Sequence, residues 1–212
     1  MKPRVYVLHG ILLPAIQMRR VINSLCKQGF DAVAISYPST RYDWSALVDQ
    51  IWAQIGEDVG KQPVVHFVGF SMGGQLVRVM LNRYRPANVG RVVLLASPNK
   101  GSEVADFMQS WRLYQWIFGP AGQQLTTHNT ACDDLRGVPY YEVGCLGGTC
   151  TIDPISYYLI KGPNDGKVSV ESSQCEGMTD YKTLPVSHTF FPLSRNVIAE
   201  TAHFLQHGQF RQ

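Results

Sequence analysis

Short apolar runs alternate with stretches of helical periodicity along the first half of the chain. Arg4–Leu8, Asp31–Ser36, Val64–Val68 and Arg91–Ala96 are near-continuous apolar runs bounded by Gly, Pro or Asp, as expected of strands buried on both faces. Between them, Pro14–Lys27, Asp43–Val59 and Gly74–Tyr84 carry apolar residues at helical spacing. In the second of these, Leu47, Val48, Ile51, Trp52 and Ile55 share one side. Strands joined by helices in this order predict an α/β fold, a mostly parallel doubly wound sheet with helices on both faces. Beyond Ser97 the pattern loosens. Gly101–Phe118 predicts a helix rich in aromatics, Tyr140–Leu146 and Gly177–Leu184 predict strands, and Ser194–His207 predicts a closing helix. Gly119–Gly148 has no long helical pattern, so little or no cap over the sheet is expected. No repeat or linker interrupts the 212 residues, and the chain reads as one domain over residues 1–212.

Composition narrows the classes. Hydrophobic residues make up 45% and charged residues 17%, which suits a packed globular chain rather than a disordered one. A formal charge of +3, scattered along the sequence, does not suggest nucleic acid, and Arg19-Arg20 falls on a solvated helix face. No apolar run reaches the roughly 20 residues of a membrane-spanning helix. Met1-Lys2-Pro3-Arg4 enters the first strand directly and leaves no room for a signal peptide, so a cytoplasmic location is expected if Met1 is the natural start. The cysteines are Cys26, Cys132, Cys145, Cys150 and Cys175, an odd number without metal-ligand spacing. Reduced thiols are the simpler reading, although Cys145 and Cys150 are close enough to be bridged across a loop. Neither a metal nor another cofactor is expected, and a monomer or small homo-oligomer fits the composition.

Candidate chemistry begins at Gly69-Phe70-Ser71-Met72-Gly73, a Gly-x-Ser-x-Gly between a predicted strand and a predicted helix. That context is the nucleophile elbow, in which glycines on either side leave room for a sharp turn at the serine. A serine hydroxyl is a weak nucleophile, so a histidine must take its proton and a carboxylate must orient the histidine. In such sheets the order is nucleophile, acid, histidine. This removes His9 and His66, which precede Ser71. His128 lies in a polar loop, and His203 and His207 sit on the closing helix. His188 follows the last predicted strand in a loop over the sheet edge, and is the expected base. The turn-forming Gly162-Pro163-Asn164-Asp165-Gly166 precedes it and offers Asp165 as the acid, with Asp153 as runner-up. Asp133 and Asp134 come too early in that order, and Asp180 falls inside a strand pattern. An oxyanion needs two convergent N–H donors. Met72, directly after the nucleophile, is one, and Ile11, in the His9-Gly10-Ile11-Leu12 loop after the first strand, is the other. Leu12, Phe70 and Trp111 are candidate substrate contacts, because ligands in open α/β sheets bind beyond the strands' C-terminal ends.

With these residues in place, the chain resembles the small, capless bacterial α/β-hydrolases of the lipase/esterase type, the class 2 lipases and their serine-esterase relatives. The likeness is carried by Val7-Leu8-His9-Gly10, by Ser36-Tyr37-Pro38-Ser39, and by the elbow Val65–Gly74. Ser97–Ser102, Gly162–Val170 and Leu184-Pro185-Val186-Ser187-His188 complete it. Phe70 stands where many relatives have histidine, which changes the pocket wall and leaves the triad. The resemblance implies metal-free cleavage of carboxylic esters, with Ser71, Asp165 and His188 as nucleophile, acid and base. A small acyl ester or lipid would be the substrate. A thioesterase or acyltransferase would use the same constellation, and a binding protein without activity would have lost one of its members.

Overall fold

The computed structural model describes residues 2–152 and 154–212. Among them, six strands form one sheet in the order β2-β1-β3-β4-β5-β6. They are β1 (Arg4–Leu8), β2 (Asp31–Ile35), β3 (Val65–Phe70), β4 (Val89–Leu95), β5 (Glu142–Gly148) and β6 (Asp180–Leu184). Every neighbouring pair is parallel. A parallel pair needs a crossover, and the helices that supply it cover both faces. For this reason β3 is buried at every position, whereas the edge strands β2 and β6 are only partly covered.

Helices α1 (Arg19–Lys27) and α8 (Arg195–His207) close one face over Val5, Val7, Val68, Val93 and Leu146. On the other face, α2 (Trp44–Lys61) and α3 (Met72–Tyr84) cover Tyr6, Phe67, Val92 and Val143. Their ends are fixed locally. Asp43 accepts the Ala46 N–H at 2.8 Å as the N-cap of α2, and Ser194 accepts from Val197 as the N-cap of α8. No helix among the described residues is long and apolar enough to cross a membrane.

The expected helix over Gly101–Phe118 is instead two helices, α4 (Glu103–Met108) and α5 (Arg112–Gln123), with Trp111 extended between them. Along one unbroken helix Tyr114 would point about 180° away from Ala105. The break brings both to the same cavity. Two shorter helices, α6 (Thr130–Arg136) and α7 (Pro154–Leu159), complete the second half. All five cysteines are free thiols. Cys145 points from β5 into the core with its sulfur 3.6 Å from that of Cys175, whereas Cys150 lies beyond the end of β5. The strand direction, not proximity in the chain, selects the partner.

His66 on β3 is buried beside Phe30, and its Nδ1 accepts the Arg91 N–H at 2.8 Å. Burial pushes its pKa down to about 4. The folded state therefore keeps His66 neutral where the unfolded chain protonates it, and stability falls as pH drops from about 6.5 toward 4. The contribution lost is about 3 kcal/mol. Urea midpoints taken from pH 4 to pH 7 are expected to lose this increment in the parent. They should lose much less in His66→Gln, whose amide keeps an acceptor for Arg91.

Candidate active site

The C-terminal end of β3 delivers Ser71 into a backbone conformation that L-residues rarely adopt, φ 53° and ψ −124°. Two bonds hold it there. The Ser71 N–H donates to Leu95 O of β4 at 2.8 Å, and Ser71 O accepts the Gly74 N–H at 3.0 Å. The glycines on either side are required by space. A Cβ at Gly69 would lie 2.4 Å from Gly74 Cα, and one at Gly73 would lie 2.4 Å from His9 O. Thus α3 starts in backbone contact with both β3 and the loop after β1. Its first residue, Met72, has an N–H without a partner inside the helix.

Ser71 Oγ lies 3.0 Å from Nε2 of His188, and Nδ1 of His188 lies 2.8 Å from Oδ2 of Asp165. Asp165 is buried, but its other carboxylate oxygen is satisfied by the Lys167 and Val168 N–H groups at 2.9 and 2.8 Å. A buried carboxylate with one oxygen held by two amide donors and the other by the imidazole is fixed in orientation toward His188. The backbone adds a second link, since the His188 N–H donates to Asp165 O at 2.9 Å. Asn164 shapes this loop. Its Oδ1 accepts from Gly166 N and from the Thr151 hydroxyl, and its Nδ2 donates to Gly162 O. Asn164 is not among the residues expected from the sequence, where its place directly before Asp165 in a turn is the signal that marks it. The runner-up acid, Asp153, lies outside the described residues.

The loop after β1 is braced from beneath. The rings of His9 and Tyr37 stack with centroids 4.1 Å apart, and the Tyr37 hydroxyl donates to His9 O. His9 Nδ1 meets Gly10 O at 2.8 Å, and burial lowers its pKa. The next residues turn over the elbow. Leu12 has φ 62°, and its N–H is engaged by Ser39 Oγ at 3.2 Å, while Ile11 faces the cavity.

That cavity has a volume of about 340 Å³ and opens beside Ser71 and His188. Its walls are mainly apolar, with Leu12, Leu13, Met108, Tyr114, Phe118 and Leu125 among them. Phe70 also lines it, its ring 5.1 Å from the His188 ring and close beneath Gly10. Trp111 does not line it. The break between α4 and α5 leaves Trp111 half exposed, packed edge-on against Phe107. Tyr114 and Phe118, stacked at 4.4 Å, take the place in the wall that Trp111 was expected to fill. Their i,i+4 spacing was visible in the sequence, but the break that turns them inward was not.

A family model described as alpha/beta hydrolase fold matches residues 3–120, more than half of the chain. The chain belongs to the alpha/beta hydrolase fold family. Among solved structures, this family member is similar to the mature Bacillus licheniformis lipase BlEst2, with 22% identity over 91% of each chain and a TM-score of 0.70. It is also similar to the metagenomic carboxyl esterase MGS0156, with 18% identity, covering 88% of this chain and 64% of that one, at a TM-score of 0.69. Phospholipase PlaB from Legionella pneumophila shares 15% identity over 99% of this chain and 60% of its own, at a TM-score of 0.73. At these identities the likeness is one of fold. No curated protein matches the chain by sequence.

The packing at the elbow has a direct consequence. Gly73→Ala is expected to lower stability by about 1–3 kcal/mol through overpacking against the His9 carbonyl. Gly60→Ala on α2, where nothing lies within 4 Å of the new methyl, should be neutral or slightly stabilising. Urea unfolding of the two variants side by side separates packing from helix propensity.

Proposed function

We propose that this protein is a serine hydrolase of carboxylic esters, with Ser71 as nucleophile, His188 as general base and Asp165 as the orienting carboxylate. The observation that carries the reading is the continuous hydrogen-bonded chain from Ser71 Oγ through the imidazole to a fully buried carboxylate, at the mouth of an apolar cavity. One α/β domain over residues 1–212 supplies every part of the site.

In this mechanism Nε2 of His188 accepts the hydroxyl proton as Ser71 Oγ attacks the ester carbonyl. The carbonyl oxygen becomes an anion, for which the backbone N–H groups of Met72 and Ile11 are the donors. The first N–H of α3, which has no partner within the helix, supports Met72 in that role. The Leu12 N–H is engaged by Ser39, whereas Ile11 lines the same cavity as Ser71, which favours Ile11 as the donor from this loop. The imidazolium then protonates the departing alkoxide, giving an acyl-enzyme. Water, activated by the same imidazole, attacks the acyl carbonyl and releases the acid and Ser71. Asp165 stays ionised throughout, holding the proton of Nδ1 in place.

The acyl group occupies the cavity between Leu13, Met108, Tyr114 and Phe118. Its volume is near the lower end of small-molecule sites and suits a short acyl chain or a monoacyl lipid better than a bulky triglyceride. The lipase, carboxyl esterase and phospholipase that share the fold agree with an ester substrate.

A fluorophosphonate probe is expected to label the native protein once, and to leave Ser71→Ala unlabelled. Absence of labelling in the native protein, or equal labelling of the variant, would overturn the assignment. Asp165→Asn is expected to fold normally but to turn over p-nitrophenyl esters about 10³–10⁴-fold more slowly. Lys167 and Val168 N–H hold the amide oxygen, so the amide N–H₂ must face Nδ1 and donate to it. That interaction forces the imidazole proton onto Nε2 and blocks proton transfer from Ser71. Near-normal turnover would move the acid role to another carboxylate, Asp153 first.

A further inference from the structure

On the α3 side of the sheet, away from Ser71, a second cavity of about 600 Å³ is lined by Arg78, Asn99, Lys100, Arg136 and Cys175, with Asp134 and Glu176 among its other walls. Arg78 is buried on α3. Among the described residues its partners are neutral: Nη1 donates to Asn99 Oδ1 at 3.1 Å and Nη2 to Gly137 O at 2.8 Å. Its Nε is buried without a hydrogen-bond partner. A buried guanidinium without a counter-charge is costly, and a thiolate in the same cavity supplies one. Cys175 lies there, and behind it, 3.6 Å away, is the sulfur of Cys145 on β5.

We propose that Cys175 and Cys145 form a redox-active dithiol, with Cys175 as the attacking thiolate and Cys145 as the resolving thiol, oxidised by low-molecular-weight disulfides that enter through this cavity. The Cys175 sulfur attacks one sulfur of the small disulfide, forming a mixed disulfide and expelling one small thiolate, which takes up a proton. Cys145 then loses its proton and attacks the Cys175 sulfur, expelling the second small thiolate. In total two protein thiols and one disulfide give one protein disulfide and two small thiols.

The electrostatics divide the roles in the same way. The hydrogen bond between the two sulfurs, together with the Arg78 charge, lowers the pKa of Cys175 against the opposing effect of burial. That same hydrogen bond, reinforced by burial, raises Cys145 well above the ordinary thiol range. Cys175 is thus the thiol primed to react first. The bond so formed ties β5 to the segment that follows Asp165, where Asn99 Nδ2 already donates to Ser173 O at 2.9 Å.

The test is incubation of the full chain with oxidised glutathione, followed by alkylation of remaining thiols and peptide mass spectrometry without reduction. The expected product is a Cys145–Cys175 cross-linked peptide that a reducing thiol reverses. In Cys145→Ser the glutathione adduct should accumulate on Cys175, whereas Cys175→Ser should leave Cys145 unmodified. The proposal is overturned if the parent carries adducts only on the exposed Cys26 or on Cys150. Cross-linking of Cys145 to Cys150, or capture of glutathione by Cys145 in Cys175→Ser, would overturn it equally.

Discussion

The backbone contact between the start of α3 and the strands beneath it is the constraint on which the rest of the site depends. Ser71 occupies a strained conformation, and such strain, about 1–3 kcal/mol at a single residue, persists only where the surroundings over-determine it. Here they do so from both sides. Leu95 O holds the Ser71 N–H, and the absence of side chains at Gly69 and Gly73 lets Gly74 of α3 rest against β3 and Gly73 against Leu8 and His9. The turn, the start of the helix and the position of the β1 loop are therefore one geometric unit. Moving any of them moves the serine hydroxyl, the Met72 N–H and Ile11 together.

The opposing half of the site is positioned by different means. His188 is held by Asp165 through both its side chain and its backbone N–H, and Asp165 is held by two amide donors of its own loop. The parallel sheet makes this economical in distance, because β3, β4, β5 and β6 all end at the same edge. Loops leaving that edge converge, so residues 117 positions apart in sequence meet at 3.0 Å. Burial of Asp165 also excludes water that would otherwise compete for the imidazole, which strengthens the bond between them. The result is a polar line of three side chains crossing an apolar surface.

Much of this was legible in the chain because the signals were local. A strand buried on both faces has to be apolar throughout, a nucleophile elbow has to carry its glycines, and a loop that presents a carboxylate has to turn. Val65–Phe70, Gly69-x-Ser71-x-Gly73 and Gly162–Gly166 satisfy these requirements one segment at a time. What was misread depended on contacts between distant segments. The aromatic run after Ser102 has a good helical period, but its break near Trp111 answers to the shape of the cavity. Trp111 was therefore expected in the wall, where Tyr114 and Phe118 stand. Tertiary packing likewise sets Cys145 beside Cys175, 30 residues away, because strand β5 points its side chain into the core.

By itself the sequence determined the α/β architecture and the identity of the residues able to carry nucleophilic chemistry, since periodicity, turn chemistry and residue type are properties of short segments. Only the tertiary structure decided which of those residues meet. It decided the hydrogen-bonded line from Ser71 to Asp165, the bracing of the His9 loop by Tyr37, the walls of the cavity, and the meeting of Cys145 with Cys175 beside the cavity that holds Arg78. These arise where loops from separate strands converge, and convergence is set by sheet order and packing, which no single segment encodes.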